Sequence, residues 1–165
     1  MTRYSLLWRV SVAALIMGAF VWRGAVTARA DVDPKVASYV NIKDIKWNES
    51  KNGASASYLV SGDPTKEGSL YVQVMKWHAH HNSTPHKHPH DRFITVLEGT
   101  WWVGTGTNYD NMNGTTPMGP GTVVTHYANE YHYDGAKDGD CTLVIVGIGP
   151  AGSAPAPGQK AEKKE

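Results

Sequence analysis

The stretch that decides the fold runs from Pro85 to Gly99 and reads PHKHPHDRFITVLEG. Its first half carries a histidine at every second position, and its second half is a β-rich apolar run that ends in glycine. Side chains two residues apart on an extended chain point the same way, so His86 and His88 can direct two imidazoles at one point. Because neutral imidazole is the commonest metal ligand in proteins, this spacing indicates a metal held on a sheet.

Short strand-like segments fill most of the chain around this stretch. We predict strands over residues 56–60, 69–77, 93–103 (broken at Gly99), 122–127, 131–133 and 142–148, and a loop or hairpin over 104–119. Turns rich in glycine and proline join them, and no segment after residue 30 has a helical period of useful length. The length of 165 residues suits one domain with a core. The pattern therefore predicts an all-β, single-domain sandwich or barrel.

The first thirty residues have the composition of a secretory signal peptide. Arg3 and Arg9 form a positive start, residues 10–22 are apolar, and Ala28-Arg29-Ala30 is a cleavage site of the A-x-A type. An apolar run of 13 residues is too short to span a hydrocarbon layer of about 30 Å. We therefore expect cleavage after Ala30, a periplasmic or secreted protein, and no stable membrane anchor after cleavage.

Composition also limits the partners and the covalent chemistry. The net charge is +1, and no cluster of Lys and Arg occurs away from the two ends of the chain, so we expect no nucleic-acid partner. Cys141 is the one cysteine in the sequence, which excludes an intramolecular disulfide. It precedes a strand-like run, and we expect it to be a small buried residue.

A third ligand is needed to close a metal site, and His132 is the best candidate. It lies just past a turn, between Tyr131 and Tyr133, and 44 residues after His88. That separation suits a returning antiparallel strand that brings the third imidazole across a cavity.

Together these features resemble the cupin superfamily. Its first motif is a Pro-x-His-x-His region followed by a Glu, six residues and a Gly, which maps here onto His86, His88 and Gly99. Its second motif is a Pro-Gly turn followed by a His, which maps onto Pro120-Gly121 and His132. The resemblance is closest to small exported single-domain cupins. It implies a double-stranded β-helix (jelly-roll) barrel over residues 58–149 with the ligands inside, and a homodimer formed by sheet packing.

The remaining segments complete this division of the chain. Residues 1–30 are the signal peptide, and residues 31–57 are expected to pack on the barrel. Residues 150–165 are rich in Ala, Pro and Gly and then in Lys and Glu, which predicts a disordered tail.

One residue departs from the cupin pattern. Arg92 stands seven positions before Gly99, where the family has its Glu ligand. A guanidinium has no lone pair for a metal and would repel a nearby cation. Three interpretations stay open. In the first, Arg92 turns away or pairs with Asp91 or Glu98, and the histidines hold a metal. In the second, the site is metal-free and Arg92 binds an anionic ligand. In the third, the histidine cluster has only structural value.

The other histidines and the tryptophans have simpler interpretations. His78, His80 and His81 are expected to form a polar strand end at the barrel mouth, although a cavity-facing or second-metal role stays open. We interpret His126 as a structural hydrogen-bonding residue. Trp101 and Trp102 are adjacent, so one must face inward, where it can form an aromatic wall.

The predicted site is thus a three-histidine centre. It consists of His86, His88 and His132 and holds one divalent transition metal, Fe, Mn, Zn, Ni or Cu, among which imidazole does not choose sharply. The candidates for an additional ligand or substrate contact are His90, Asp91, Arg92 and Tyr131.

Two functions fit this site. The resemblance implies a metal-dependent enzyme of the oxygenase, isomerase or lyase type that acts on a small organic molecule. The alternative is a non-catalytic cupin of the cell envelope that binds or senses a small molecule or a metal. The lack of an obvious acid–base carboxylate among the predicted site residues favours the alternative, and the sequence does not decide whether the protein is an enzyme.

Overall fold

The computed structural model describes residues 32–159, and nearly all of its regular structure is β. The strands are β1 (Asn48–Glu49), β2 (Ser55–Gly62), β3 (Leu70–Trp77), β4 (His86–Lys87), β5 (Arg92–Glu98), β6 (Trp101–Thr105), β7 (Thr116–Met118), β8 (Val123–His126), β9 (His132–Gly135), β10 (Cys141–Ile148) and β11 (Ala154–Pro155). One 3₁₀ turn, Ile42–Asp44, precedes them. Across the described range, no helix has the length and apolar character needed to cross a membrane. The predicted signal peptide, residues 1–30, lies outside the described residues.

The chain divides into two compact units, residues 1–38 and 39–165. The described part of the first unit is a turn in which the amides of Val36 and Ala37 donate to the carbonyl of Asp33. The second unit contains all the described strands.

Two antiparallel sheets make up the second unit. The six-stranded sheet has the order β1-β2-β3-β10-β5-β8, and the five-stranded sheet has the order β11-β4-β9-β6-β7. Buried side chains of both sheets form one apolar cluster that includes Tyr71, Ile94, Leu143 and Trp101. Full burial of such a side chain contributes about 1.5–3 kcal/mol. The predicted all-β fold is confirmed.

Strands β3 and β10 form the centre of the larger sheet. They pair over eight residues each, from Cys141 opposite Trp77 to Ile148 opposite Leu70. Their side chains alternate between the buried inner face and the outer face, as the period of two predicts. The inner face of this sheet is therefore one wall of the interior, and the outer face combines exposed side chains such as Leu70 with the buried Val74 and Thr142.

Gly99 is the point at which the chain leaves one sheet for the other. Strand β5 ends at Glu98 in the larger sheet, and β6 begins at Trp101 in the smaller one. The φ angle of Gly99 is +73°, and a Cβ atom there would collide with the carbonyl oxygen of Asp140. Only glycine fits this corner, which explains why the predicted strand 93–103 breaks here.

The tail differs from its prediction. Residues 150–165 were expected to be disordered, but Ala154–Pro155 form β11 and pair with β4. The amide of Ala156 donates to the carbonyl of Pro85 at 2.9 Å, and the Ala156 side chain is buried. The short strand β4 offers unpaired backbone groups at a sheet edge, and an extended segment can satisfy them whatever its composition. Residues 160–165 of the tail lie outside the described range.

The boundary predicted at residue 58 is also displaced. Strand β2 begins at Ser55, and β1 pairs with it through Asn48 and Glu49. The larger sheet therefore begins inside the segment that was expected only to pack on the barrel.

Candidate metal centre

Strands β4 and β9 bring the three predicted histidines together. His86 lies directly opposite His132 in the register of these strands, and His88 follows β4. His88 and His132 are buried, and His86 is half-buried. One potential ligand atom of each ring lies within 4.8 Å of the others. The fold thus places the three imidazoles as a metal site requires, while metal binding itself stays a prediction.

Backbone carbonyls orient all three rings in the same way. Each Nδ1 atom lies at hydrogen-bonding distance from a carbonyl oxygen: His86 from Thr84 at 2.8 Å, His88 from Gly152 at 2.8 Å, and His132 from Glu130 at 3.2 Å. A carbonyl only accepts, so each Nδ1 carries the hydrogen and each Nε2 keeps its lone pair. The Nε2 atoms of His88 and His132 are buried without a hydrogen-bond partner in the described structure. This arrangement is typical of histidine ligands held by their surroundings.

The distances between the rings agree with a shared metal ion. With a metal–nitrogen bond of about 2.0–2.1 Å, the ring centres of two imidazoles on one ion lie about 4.5 Å apart at a right angle and about 5.2 Å apart at a tetrahedral angle. The observed separations are 4.8 Å for His86 and His88, 4.6 Å for His86 and His132, and 5.3 Å for His88 and His132. All three fall in or next to this interval.

Burial keeps His88 and His132 neutral. It lowers the pKa of His88 to about 2, and the positive charge of Arg92 acts in the same direction. Burial also lowers the pKa of His132 to about 4, against the attraction of the Asp134 carboxylate. A metal binds only the neutral imidazole, so His88 and His132 need not lose a proton before binding at neutral pH.

Arg92 points into the cavity beside these histidines. It is the first residue of β5 and lines the same cavity as His86 and His88. Its guanidinium is within hydrogen-bonding reach of the Tyr71 hydroxyl and is attracted by Asp134, while its Nε atom is buried without a partner among the described residues. The interpretation that Arg92 turns away from the site is therefore wrong.

The two acids proposed as partners for Arg92 have other contacts. A carboxylate oxygen of Asp91 accepts a hydrogen bond from the amide of Ala128 at 2.7 Å. A carboxylate oxygen of Glu98 lies 3.5 Å from the Thr142 hydroxyl. Both acids are exposed, so water satisfies much of their charge.

The structure does not bring the other additional candidates to the cavity. His90, Asp91 and Tyr131 are absent from its described lining. The Tyr131 ring instead lies 5.2 Å from the ammonium of Lys87. Strand β4 ends before His90, so the alternation that pairs His86 with His88 does not continue to it.

Asp134 is a site residue that the sequence interpretation missed. It lies two positions after His132 on β9, is only 4% exposed, and lines the cavity. Its carboxylate, His126 and His132 form a second group whose potential ligand atoms lie within 4.8 Å of one another. The expectation that the site lacks a carboxylate is therefore wrong. The alternation that identified His86 and His88 could have found Asp134 beside His132.

His126 is the second missed residue. It ends β8, lies opposite Arg92 in the register with β5, and is 6% exposed. Neither ring nitrogen has a hydrogen-bond partner in the described structure, which corrects its interpretation as a structural hydrogen-bonding residue. Its ring centre lies 3.7 Å from that of His132, closer than two imidazoles on one metal would be. In this arrangement, His126 packs against a predicted ligand rather than sharing a metal with it.

The cavity between the sheets has a volume of about 260 Å³. This is slightly below the range of about 300–1,000 Å³ that is usual for drug-sized ligands, so it suits a small molecule. Trp77 and Trp101 contribute aromatic walls, whereas Trp102 lies outside with the ammonium of Lys137 over its ring at 3.7 Å. The two adjacent tryptophans thus point in opposite directions, as alternation predicts.

The second histidine cluster lies outside the cavity. His78 contacts Glu49 at 3.0 Å and Asp140 at 3.4 Å. The neighbouring His80 occupies a turn with a φ angle of +66°. These positions agree with a polar strand end.

Comparison with known proteins supports the fold. No protein-family model and no curated protein matches the sequence. Among solved structures, the polyketide cyclase RemF from Streptomyces resistomycificus is 17% identical with a TM-score of 0.55, over 68% of this chain and 79% of that one. The DMSP lyase DddQ from Ruegeria pomeroyi is 17% identical with a TM-score of 0.54, over 76% of this chain and 64% of that one. A cupin-like protein from Thermotoga maritima is 14% identical with a TM-score of 0.51, over 62% and 75%.

Identities this low show the fold alone. The chain has the cupin fold, a double-stranded β-helix of two antiparallel sheets, as the sequence resemblance implied.

Proposed function

We propose that this protein is a metal-dependent enzyme that acts on a small organic molecule in the cavity between its sheets. The observation that carries the proposal is the common orientation of three histidines. Their Nδ1 atoms donate to backbone carbonyls, their Nε2 lone pairs are free, and their ring separations suit one metal ion.

His86, His88 and His132 are the residues that would hold the metal. Three neutral nitrogen ligands fit Fe, Mn, Zn, Ni or Cu and leave coordination positions open. Once bound, such an ion would polarise an oxygen atom of the substrate or activate water or dioxygen.

The other cavity residues have separate tasks. Asp134 supplies the carboxylate that can take or give a proton. Trp77 and Trp101 provide apolar surface that excludes water from the substrate. Because two of the compared structures are enzymes, a polyketide cyclase and a DMSP lyase, the cupin fold accommodates chemistry on small molecules. Fold likeness does not choose among oxygenase, isomerase and lyase.

Elemental analysis of the purified protein tests the metal site. We expect about one first-row metal ion per chain after expression in metal-replete medium, and none in the double variant His86→Ala/His132→Ala. His78→Ala is the matched control, because that histidine lies outside the cavity, and it should retain the metal. A metal-free wild-type protein would overturn the proposal.

Activity measurements separate an enzyme from a binder. Dioxygen uptake and product formation are followed with diketones, flavonols and keto acids as substrates. A substrate that turns over in the wild type should turn over much more slowly in Asp134→Asn if this carboxylate transfers the proton. Binding of these compounds without turnover would favour the non-catalytic alternative.

One observation favours the alternative function, a binding or sensing cupin that works without a metal. The Arg92 cation faces the cavity, where it would repel a metal ion and attract an anion. Tight binding of an organic anion to the metal-free protein, unchanged by added metal, would support this function.

We also propose that the protein is exported and forms a homodimer. Export is supported by the signal-peptide composition of residues 1–30, and mass spectrometry of the periplasmic or secreted protein should show Asp31 at its N-terminus. Dimerisation is supported by the apolar outer face of the larger sheet, where Leu70, Phe93 and Val123 are each more than half exposed. Light scattering should give twice the chain mass, and Phe93→Lys should yield the monomer.

A further inference from the structure

We propose that Arg92 and Tyr71 form an anchor for a carboxylate, and that the substrate is therefore a small organic acid. This inference rests on the proposed function, because the anchor and the three histidines line or border one cavity. It names the substrate class that the metal-dependent enzyme would accept.

The register of the larger sheet builds the anchor. Tyr71 on β3 and Arg92 on β5 both lie opposite Gly147, which occupies the strand between them. Directly opposed residues share a face of the sheet, so both side chains point inward. A Cβ atom on Gly147 would lie 2.7 Å from the Tyr71 hydroxyl. The missing side chain therefore leaves the space through which the Tyr71 hydroxyl reaches the guanidinium.

The anchor retains donors for a ligand. Arginine has five N–H donors in a planar fork, and the Nε–H of Arg92 is buried with no partner among the described residues. The Tyr71 hydroxyl oxygen can accept a hydrogen bond from the guanidinium and keep its own O–H free to donate. The edge of the guanidinium formed by Nε–H and one terminal N–H matches the two oxygens of a carboxylate.

A metal ion on the three histidines would give the cavity an excess of positive charge and so favour an anion. The Arg92 guanidinium and the Asp134 carboxylate carry opposite charges and offset each other. A divalent metal would add two positive charges that no described carboxylate in the cavity lining other than Asp134 offsets. A bound organic acid would supply the missing negative charge.

The position of Arg92 strengthens this assignment. The cupin resemblance places a Glu ligand at this position, so the pattern has a protein carboxylate directed at the metal there. Here the fold directs a guanidinium into the same cavity, and the carboxylate comes instead from the ligand. The volume of about 260 Å³ limits that acid to a small molecule.

A matched pair of probes tests the anchor. Lactate and lactamide have nearly the same shape, and only lactate carries a charge. Binding to the cobalt-loaded protein is followed by the visible spectrum of Co²⁺ and by calorimetry. We expect wild-type protein to bind lactate at least tenfold more tightly than lactamide.

Variants then assign the preference to these residues. Arg92→Met should weaken lactate binding at least tenfold and leave lactamide binding unchanged, while its cobalt content should be at least that of the wild type, because a cation that repels the metal is removed. Arg92→Lys should retain part of the preference, because it keeps the charge but not the fork, and Tyr71→Phe should weaken lactate binding a few-fold. Lys76→Met is the control for removal of a cation from the outer face. Circular dichroism and thermal melting check that each variant is folded.

Each contrary outcome has one meaning. Equal affinity for lactate and lactamide, no binding of lactate at tens of millimolar, or unchanged lactate binding in Arg92→Met would overturn the anchor. Failure of the wild type to retain cobalt would overturn the proposed function instead. In that case, NMR titration of the metal-free protein with the same two probes still tests the anchor.

Discussion

The tail provides a sharp test of how the candidate metal centre is built. The carbonyl of Gly152 lies 2.8 Å from Nδ1 of His88, and Ala154–Pro155 pair with the strand that carries His86. A chain ending at Pro150 would lose both interactions. It would keep the eight-residue pairing of the two central strands, so we expect it to fold.

The expected effect follows from the role of the lost carbonyl. Loss of a backbone partner of a histidine ligand typically lowers metal affinity by 10- to 100-fold, or about 1.4–2.7 kcal/mol. Water can replace the Gly152 carbonyl once the tail is gone, since a single neutral hydrogen bond contributes only about 0.5–1.5 kcal/mol net. We therefore expect a loss of affinity near tenfold rather than near one hundredfold.

Competition with a chromophoric chelator measures this change. Zn²⁺ or Co²⁺ is titrated into a mixture of chelator and protein, and the affinities of the wild type and the truncated chain are compared. A chain ending at residue 159 is the matched control, because it keeps β11 and should bind as the wild type does. Equal affinity in all three proteins, with normal melting temperatures, would refute the idea that the tail positions His88.

Four further outcomes are expected. Burial raises the pKa of the Cys141 thiol to about 12, so Ellman's reagent at pH 8 should react only after unfolding. Glu49 raises the pKa of His78 through a hydrogen bond. The resulting stabilisation, below about 1 kcal/mol for an exposed pair, is complete below pH ~6.5 and is lost as the pH rises through the raised pKa. It should become smaller in Glu49→Gln when melting temperatures are compared, because the Asp140 carboxylate still contacts His78. Gly99→Ala should lower the unfolding free energy by at least about 1–3 kcal/mol in urea titrations, because of its positive φ angle. Arg92→Glu should raise Zn²⁺ affinity in the chelator assay, and weaker binding would contradict the position assigned to Arg92.

Local spacing explains why much of the site could be predicted from the sequence. His86 and His88 share a face because the period of a strand is two, whatever the rest of the fold does. The prediction of His132 required only that a later antiparallel strand return to the same cavity. Strand β9 does so, and places His132 opposite His86. Asp134 follows from the same rule, because it lies two positions after His132 on the returning strand.

The remaining site residues depend on contacts between distant segments. The space for the Tyr71 hydroxyl beside Arg92 depends on Gly147, which is 55 residues from Arg92 in the chain. The position of His126 depends on the register between β5 and β8. The order of the tail depends on an open edge at β4, and composition alone does not reveal an unpaired edge.

The division of the site between the two sheets connects these findings. The smaller sheet, with the turn after β4, carries the three candidate ligands and Asp134, whereas the larger sheet carries Tyr71, Arg92 and His126. In the cupin pattern, the Glu ligand lies at the position of Arg92 and would reach the metal from the larger sheet. With arginine there, His86, His88 and His132 would hold a metal from the smaller sheet and the turn after β4, and the larger sheet would contribute a guanidinium instead of a ligand. A ligand with an oxygen for the metal and a carboxylate for Arg92 would bridge the two sheets, which is why the same substitution that weakens metal binding can select the substrate.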